Sequence, residues 1–149
     1  MIKKDICKVA IVGAGYMARE HIRAFQDIAG VQIAGIYSRT RSRAEALSIE
    51  FSIPSVCDSV SELFNITEAN LVVVTVPELA MNTVSKACFV YPWTVLLEKP
   101  AGYNLSDAED IEAAALANNR RVYVALNRRH YSSTGIVLRD LKKLPGQRY

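Results

Sequence analysis

The chemistry-bearing residues of this chain fall into four short clusters. The first, Gly13-Ala14-Gly15-Tyr16-Met17-Ala18, follows an apolar run and precedes a stretch with helical spacing. In the pattern G-x-G-x-x-A, one glycine allows a tight turn and the next admits a diphosphate close to the backbone. The small residue at the end lets the helix pack against the strand. The amide groups opening such a helix, together with its positive dipole end, form a phosphate site. A glycine-rich turn without a ligand is the competing reading. The strand before it, the helix after it and the size of the β-α-β unit weigh against that reading.

The second cluster is Ser38-Arg39, at the end of the second strand-like run. A carboxylate about 20 residues beyond the glycines would accept the ribose 2′-hydroxyl of NAD and repel a 2′-phosphate. A hydroxyl and a guanidinium do the reverse, the guanidinium in two-pronged fashion. Arg41 and Arg43 follow in the first turn of the next helix, where cations oppose the helix dipole. An anion in front of that turn would offset the penalty. An ordinary solvated basic stretch, with Glu45 and Glu50 as partial partners, is the alternative. NADP is therefore the expected cofactor, with NAD left open.

Glu98-Lys99-Pro100 and Asn127-Arg128-Arg129-His130-Tyr131 each follow an apolar strand. In open parallel sheets ligands bind beyond the carboxyl ends of the strands. A lysine there can donate to a substrate oxygen during hydride transfer. Taken alone, Lys99 is more often a solvated end-of-strand lysine, and from spacing alone a surface loop is the favoured reading of 127–131. Pro100 makes the turn specific and leaves a cis bond open to it.

The periodicity supplies the elements that must hold these clusters. Ile6–Val12, Val31–Tyr37, Ser55–Cys57, Leu71–Val76, Thr94–Leu97 and Val122–Leu126 read as strands. Between them, apolar residues recur at His21/Ile22, Phe25 and Ile28, and again at Ala44, Leu47 and Phe51, on single helical faces. Ser59-x-x-Glu62 and Ser106-x-x-Glu109 are capping boxes. A helix over 78–90 would turn Leu79, Thr83, Ala87 and Val90 to one side, and a last helix spans 136–144 before Pro145-Gly146. Strands alternating with helices predict a doubly wound, mostly parallel α/β sheet of the Rossmann type.

Composition sets the bounds. The chain has 149 residues, half of them apolar and 22% charged, with seven glycines and five prolines, which excludes disordered and fibrous classes. A net charge of +3 gives no basic stripe, so neither nucleic acid nor a membrane is an expected partner. No apolar run spans a bilayer and no signal peptide fits the first residues. Cys7, Cys57 and Cys88 are odd in number and widely spaced, which points to free thiols in a reducing cytoplasm.

Together, Gly13-x-Gly15-x-x-Ala18 with His21, Val74-Thr75-Val76-Pro77, Leu97-Glu98-Lys99-Pro100 and Asn127-Arg128-Arg129 resemble the N-terminal half of the glucose–fructose oxidoreductase/inositol dehydrogenase (Gfo/Idh/MocA) family. The resemblance covers residues 6 to about 131 and implies NAD(P)-dependent oxidation or reduction of a sugar- or cyclitol-like substrate. It implies a catalytic Lys99 near the nicotinamide. Besides Gly13, Gly15, Ser38, Arg39 and Arg43, it places Tyr16, Met17, Val76, Pro77 and Glu98 along the cofactor, with Asn127 and Arg128 flanking it.

Met81 stands where relatives often carry His, and Tyr91-Pro92-Trp93 replaces their Ala-Gly-Lys. The resemblance also implies a second, α+β substrate domain that this chain does not contain, and a homo-oligomer for the full-length protein. Residues 1–131 are then the nucleotide-binding domain, and 132–149 a connecting helix and the start of the missing domain. The isolated chain is expected to bind nucleotide without turnover. A non-catalytic NAD(P)-sensing module with a protein partner is the alternative. His21 reads as structural, and neither it nor His130 has an evident carboxylate partner.

Overall fold

A computed structural model describes residues 6–143. The expected helix end at Leu144 and the Pro145-Gly146 stop lie outside them. Six strands form one parallel sheet: β1 (Cys7–Val12), β2 (Val31–Tyr37), β3 (Val56–Cys57), β4 (Leu71–Val74), β5 (Thr94–Leu97) and β6 (Val122–Val124). Their spatial order is β3-β2-β1-β4-β5-β6. The chain reverses its direction of travel between β1 and β4, which is where the Gly13 turn leaves the sheet.

Alternation along the strands divides the core into two layers. Val9 and Ile11 of β1 face α1 (Tyr16–Gln26) and α2 (Arg41–Phe51), packing with Ala18, Ile22, Ala44 and Leu47. Ala10 and Val12 point the other way. They meet α3 (Val60–Thr67), α4 (Glu78–Phe89) and α5 (Leu105–Ala117) through Leu63, Met81, Phe89 and Ile111. Because both faces are covered, the strands need apolar side chains at successive positions, which is what the sequence shows. Cys57 and Cys88 are buried within this second layer. Burial pushes the Cys88 thiol up to about 12, so it stays protonated and unreactive.

Several expectations are corrected. The inward side of α4 carries Met81, Ser85, Cys88 and Phe89, not Leu79, Thr83, Ala87 and Val90. Leu79 and Val90 are 77% and 62% exposed. This helix is apolar on both sides, so its stripe does not define its facing; packing over β4 and β5 does. Met81 is a core residue here.

The capping box of α5 begins two residues earlier than expected. Asn104 Oδ1 accepts from the Asp107 amide and Asp107 Oδ2 from the Tyr103 amide, so Ser106 lies inside the helix. The second correction at a helix end concerns Ile28, which sits beyond the end of α1 and is half exposed. The box at α3 forms as expected at Ser59, whose Oγ accepts from the Glu62 amide. There Glu62 reaches back to the amide of Asp58.

β6 ends at Val124, two residues short of the expectation, and Asn127–His130 form a short 3-10 helix. α6 (Ser132–Lys143) follows it. None of its residues is buried, and Ile136, Val137, Leu138 and Leu141 are all about half exposed. No described helix is long and apolar enough to cross a membrane.

Candidate functional site

The Gly13 turn is clamped on both sides. The Gly13 amide donates to Tyr37 O of β2 at 2.8 Å, and the Thr75 amide donates to Val12 O at 2.8 Å. Gly13 has φ +106°, a conformation that L side chains rarely adopt. A β-carbon there would lie 2.6 Å from Thr75 Oγ1 and 2.8 Å from Thr75 O. Gly15 differs. Its backbone is extended (φ −94°, ψ −171°), and a β-carbon would meet nothing within 4 Å. The side of Gly15 is open space at the first turn of α1.

This turn forms one wall of a cleft of about 440 Å³. Gly13, Gly15, Tyr16 and Met17 lie along it, with Ser38, Arg39 and Arg43 at one end and Val76 and Pro77 on the β4 side. Nine of the sequence-nominated cofactor residues therefore share one surface. Val12, Ala14, Tyr37, Thr40, Thr75, Ala80 and Val84, which the sequence reading did not nominate as cofactor residues, complete the lining. Tyr37 and Thr75 had a signal, as the last residue of β2 and the residue just past β4.

Three helix starts border the cleft; one of them, α4, opens at Pro77 without a side-chain cap but carries Glu78 in its first turn. α1 opens at Gly15 and α2 at Thr40, and neither start has a side-chain cap or an acidic residue in its first turn. The amide dipoles at these ends are left to water or to an anion. Among the described residues, neither Arg39 nor Arg43 has a carboxylate within 4 Å, and both line the cleft. Arg41 does not. It pairs with Asp58 and Glu45, whose hydrogen bonds raise its already high pKa, Asp58 having the larger effect. Glu50, a suggested downstream partner, instead pairs with Arg19. The basic stretch is thus split, with one arginine neutralised locally and two left facing the cleft.

A second cavity, of about 450 Å³, opens beyond β5 and β6 and is lined by Lys99, Leu126, Asn127, Arg128 and Arg129. Asn127 and Arg128 accordingly accompany Lys99 and do not line the glycine cleft. The Lys99–Pro100 peptide bond is cis. Glu98, expected along the cofactor, lies behind both surfaces and is only 6% exposed. Its Oε2 accepts from the Lys99 amide at 2.9 Å, and His21 Nε2 lies 3.1 Å from its Oε1. His21 therefore does have a carboxylate partner. The two residues are 77 positions apart, so no local spacing could have paired them.

A family model described as "Oxidoreductase family, NAD-binding Rossmann fold" matches residues 7–126. The chain belongs to this family. Among curated relatives, inositol 2-dehydrogenase 1 of Paenarthrobacter aurescens is 25% identical over 138 residues, covering 89% of this chain and 41% of that protein. Glucose-6-phosphate 3-dehydrogenase of Bacillus subtilis is 27% identical over 130 residues, covering 87% and 36%. The chain thus spans about two fifths of the length of the curated relatives it matches. Among solved structures, myo-inositol dehydrogenase from Lactobacillus casei, in complex with NAD(H) and myo-inositol, superimposes with a TM-score of 0.85 at 20% identity. That match covers 93% of this chain and 42% of the other, and it establishes the fold.

Proposed function

We propose that this chain is the nucleotide-binding part of an NAD(P)-dependent oxidoreductase acting on a sugar- or cyclitol-like alcohol or carbonyl, with NADP preferred. The observation that carries the reading is the pair of helix starts at one cleft that have neither cap nor acid, with Arg39 and Arg43 unneutralised beside them. Gly15 and the α1 amides would hold the diphosphate. Ser38, Arg39 and Arg43 would hold the 2′-phosphate, and Val76 and Pro77 would direct the chain of the cofactor toward β5. When bound, the nicotinamide supplies or accepts a hydride at carbon.

Lys99 would donate a proton from Nζ to a carbonyl oxygen, or receive it from an alcohol, at the cavity it shares with Asn127 and Arg128. Within this chain that cavity is walled only by the segments leaving β5 and β6, the latter a 3-10 turn. The isolated chain is therefore proposed to bind nucleotide without steady turnover. Substrate contacts and oligomer contacts belong to the remainder of the protein.

Paired fluorescence titrations with NADPH and NADH test the preference. NADPH is expected to bind more tightly, and Arg39→Ala is expected to weaken it about tenfold while leaving NADH unchanged, as loss of a charged hydrogen bond would. Equal affinities, or tighter NADH, would remove the assignment of Ser38 and Arg39. Undiminished turnover by a Lys99→Met variant of the full-length enzyme would remove that of Lys99.

A further inference from the structure

Glu98 is the only carboxylate buried among the described residues, and its side chain keeps just 7% of its exposure. A buried carboxylate is costly unless each oxygen finds a donor. Here both oxygens find one, from opposite directions. Oε2 accepts the amide of the next residue, Lys99, at 2.9 Å. Oε1 faces Nε2 of His21 at 3.1 Å; a carboxylate only accepts, so Nε2 carries the proton. His21 is itself confined, with its side chain 15% exposed and its ring stacked on Phe25 at 6.4 Å between centroids.

The two donors belong to different machinery. His21 sits on α1, one turn beyond Ala18, on the helix whose first turn forms the phosphate cradle. Lys99 begins the turn that leaves β5 for the second cavity. α1 is otherwise held to the sheet by apolar contacts such as Ala18 and Ile22, which do not fix a direction. A histidine–carboxylate bond does.

We infer that His21 is a positioning residue for Lys99: through Glu98 it locks the Lys99 turn to the helix that carries the cofactor phosphates. The inference rests on the role proposed for Lys99. Glu98 accepts both hydrogen bonds at once, so the Lys99 backbone is oriented by a group registered to α1. The Lys99 Cα, from which the side chain reaches out, then stands in register with whatever lies along that helix. With the His21 donor gone, Oε1 would be buried without a partner. The carboxylate would turn toward water, and the Lys99 amide would lose its acceptor.

The test uses the ligand-free chain and two nucleotide probes. His21→Leu is expected to raise the hydrogen-exchange rate of the Lys99 amide about tenfold. It is also expected to weaken NADPH about tenfold while leaving 2′,5′-ADP, which lacks the nicotinamide end, unchanged. His21→Gln, whose side-chain N–H reaches the same oxygen, should restore both values. Unchanged Lys99 exchange in His21→Leu would overturn the inference. So would an equal loss for the two probes, which marks a merely structural role.

If His21→Leu does not fold, nitrogen NMR of the wild-type ring decides. A proton on Nε2 is required, and a ring protonated only at Nδ1 sinks the inference. If the wild type binds neither nucleotide, the proposed function fails, while the exchange arm still reports on the Lys99 turn.

Discussion

The helices of this domain begin in two contrasting ways. α3 and α5, on one face of the sheet, start with Ser59 and Asn104 as side-chain caps and carry Glu62 and Asp107 in their first turns. α1 and α2, on the other face, start with neither, and α2 has arginines where an acid would be favourable. A cap is worth about 1 kcal/mol, and a first-turn acid adds several tenths more. Both benefits are forgone at these two starts, which line the glycine cleft; the third start there, α4, lacks a side-chain cap but keeps Glu78 in its first turn. The contrast separates helix ends built for stability from helix ends left available to an anion, within a single fold.

Substitutions at these ends break or sharpen that contrast. The largest effect is expected at Gly13, where alanine meets Thr75 backbone at 2.8 Å in a left-handed conformation. Gly13→Ala should lower unfolding stability by roughly 3 kcal/mol and abolish nucleotide binding, as denaturant melts and titration would show. Next come the capped ends. Ser59→Ala and Asn104→Ala should each cost about 1 kcal/mol and leave nucleotide affinity alone.

The bare ends should behave in the opposite way. Thr40→Ala and Gly15→Ala are expected to shift stability by less than about 0.5 kcal/mol. Gly15→Ala, with a methyl in the diphosphate space, should weaken NADPH about tenfold or more. A Thr40→Ala cost near that of Ser59→Ala would erase the distinction. The smallest effect belongs to Leu79. Leu79→Ser on the outer side of α4 should change the unfolding free energy by no more than about 0.5 kcal/mol, whereas its neighbour in the core, Met81→Ala, should cost about 2–5 kcal/mol.

The sheet was legible because β1, β2, β4 and β5 are covered on both faces and so read as near-continuous apolar runs, interrupted only near the starts of β1 and β2 by Lys8 and Gln32. The glycine cleft was legible for a related reason. Its lining is mostly backbone, set by residues at fixed offsets from strand ends, and Ser38, Arg39, Val76 and Pro77 fall where those offsets place them. The facing of α4 was not legible, since Leu79, Met81, Val84, Cys88 and Val90 offer two competing stripes on one helix. Nor was the start of α5, where Asn104-x-x-Asp107 and Ser106-x-x-Glu109 overlap and only packing chooses between them. The His21–Glu98 pair joins residues on separate elements, and only the folded sheet brings them together. Arg41 shows the same limit, because its partner Asp58 lies across a strand connection.

The double clamp on the Gly13 turn has a thermodynamic corollary. Tyr37 and Val12 supply carbonyls to neighbouring amides on both sides of the loop, so the backbone of the turn is held in place without a ligand. Under the proposed function, capture would order the Arg39 and Arg43 side chains but leave the backbone of the turn where it stands. Affinity across a series of nucleotides should accordingly track how floppy each guest is in water, with stiffened analogues gaining the most.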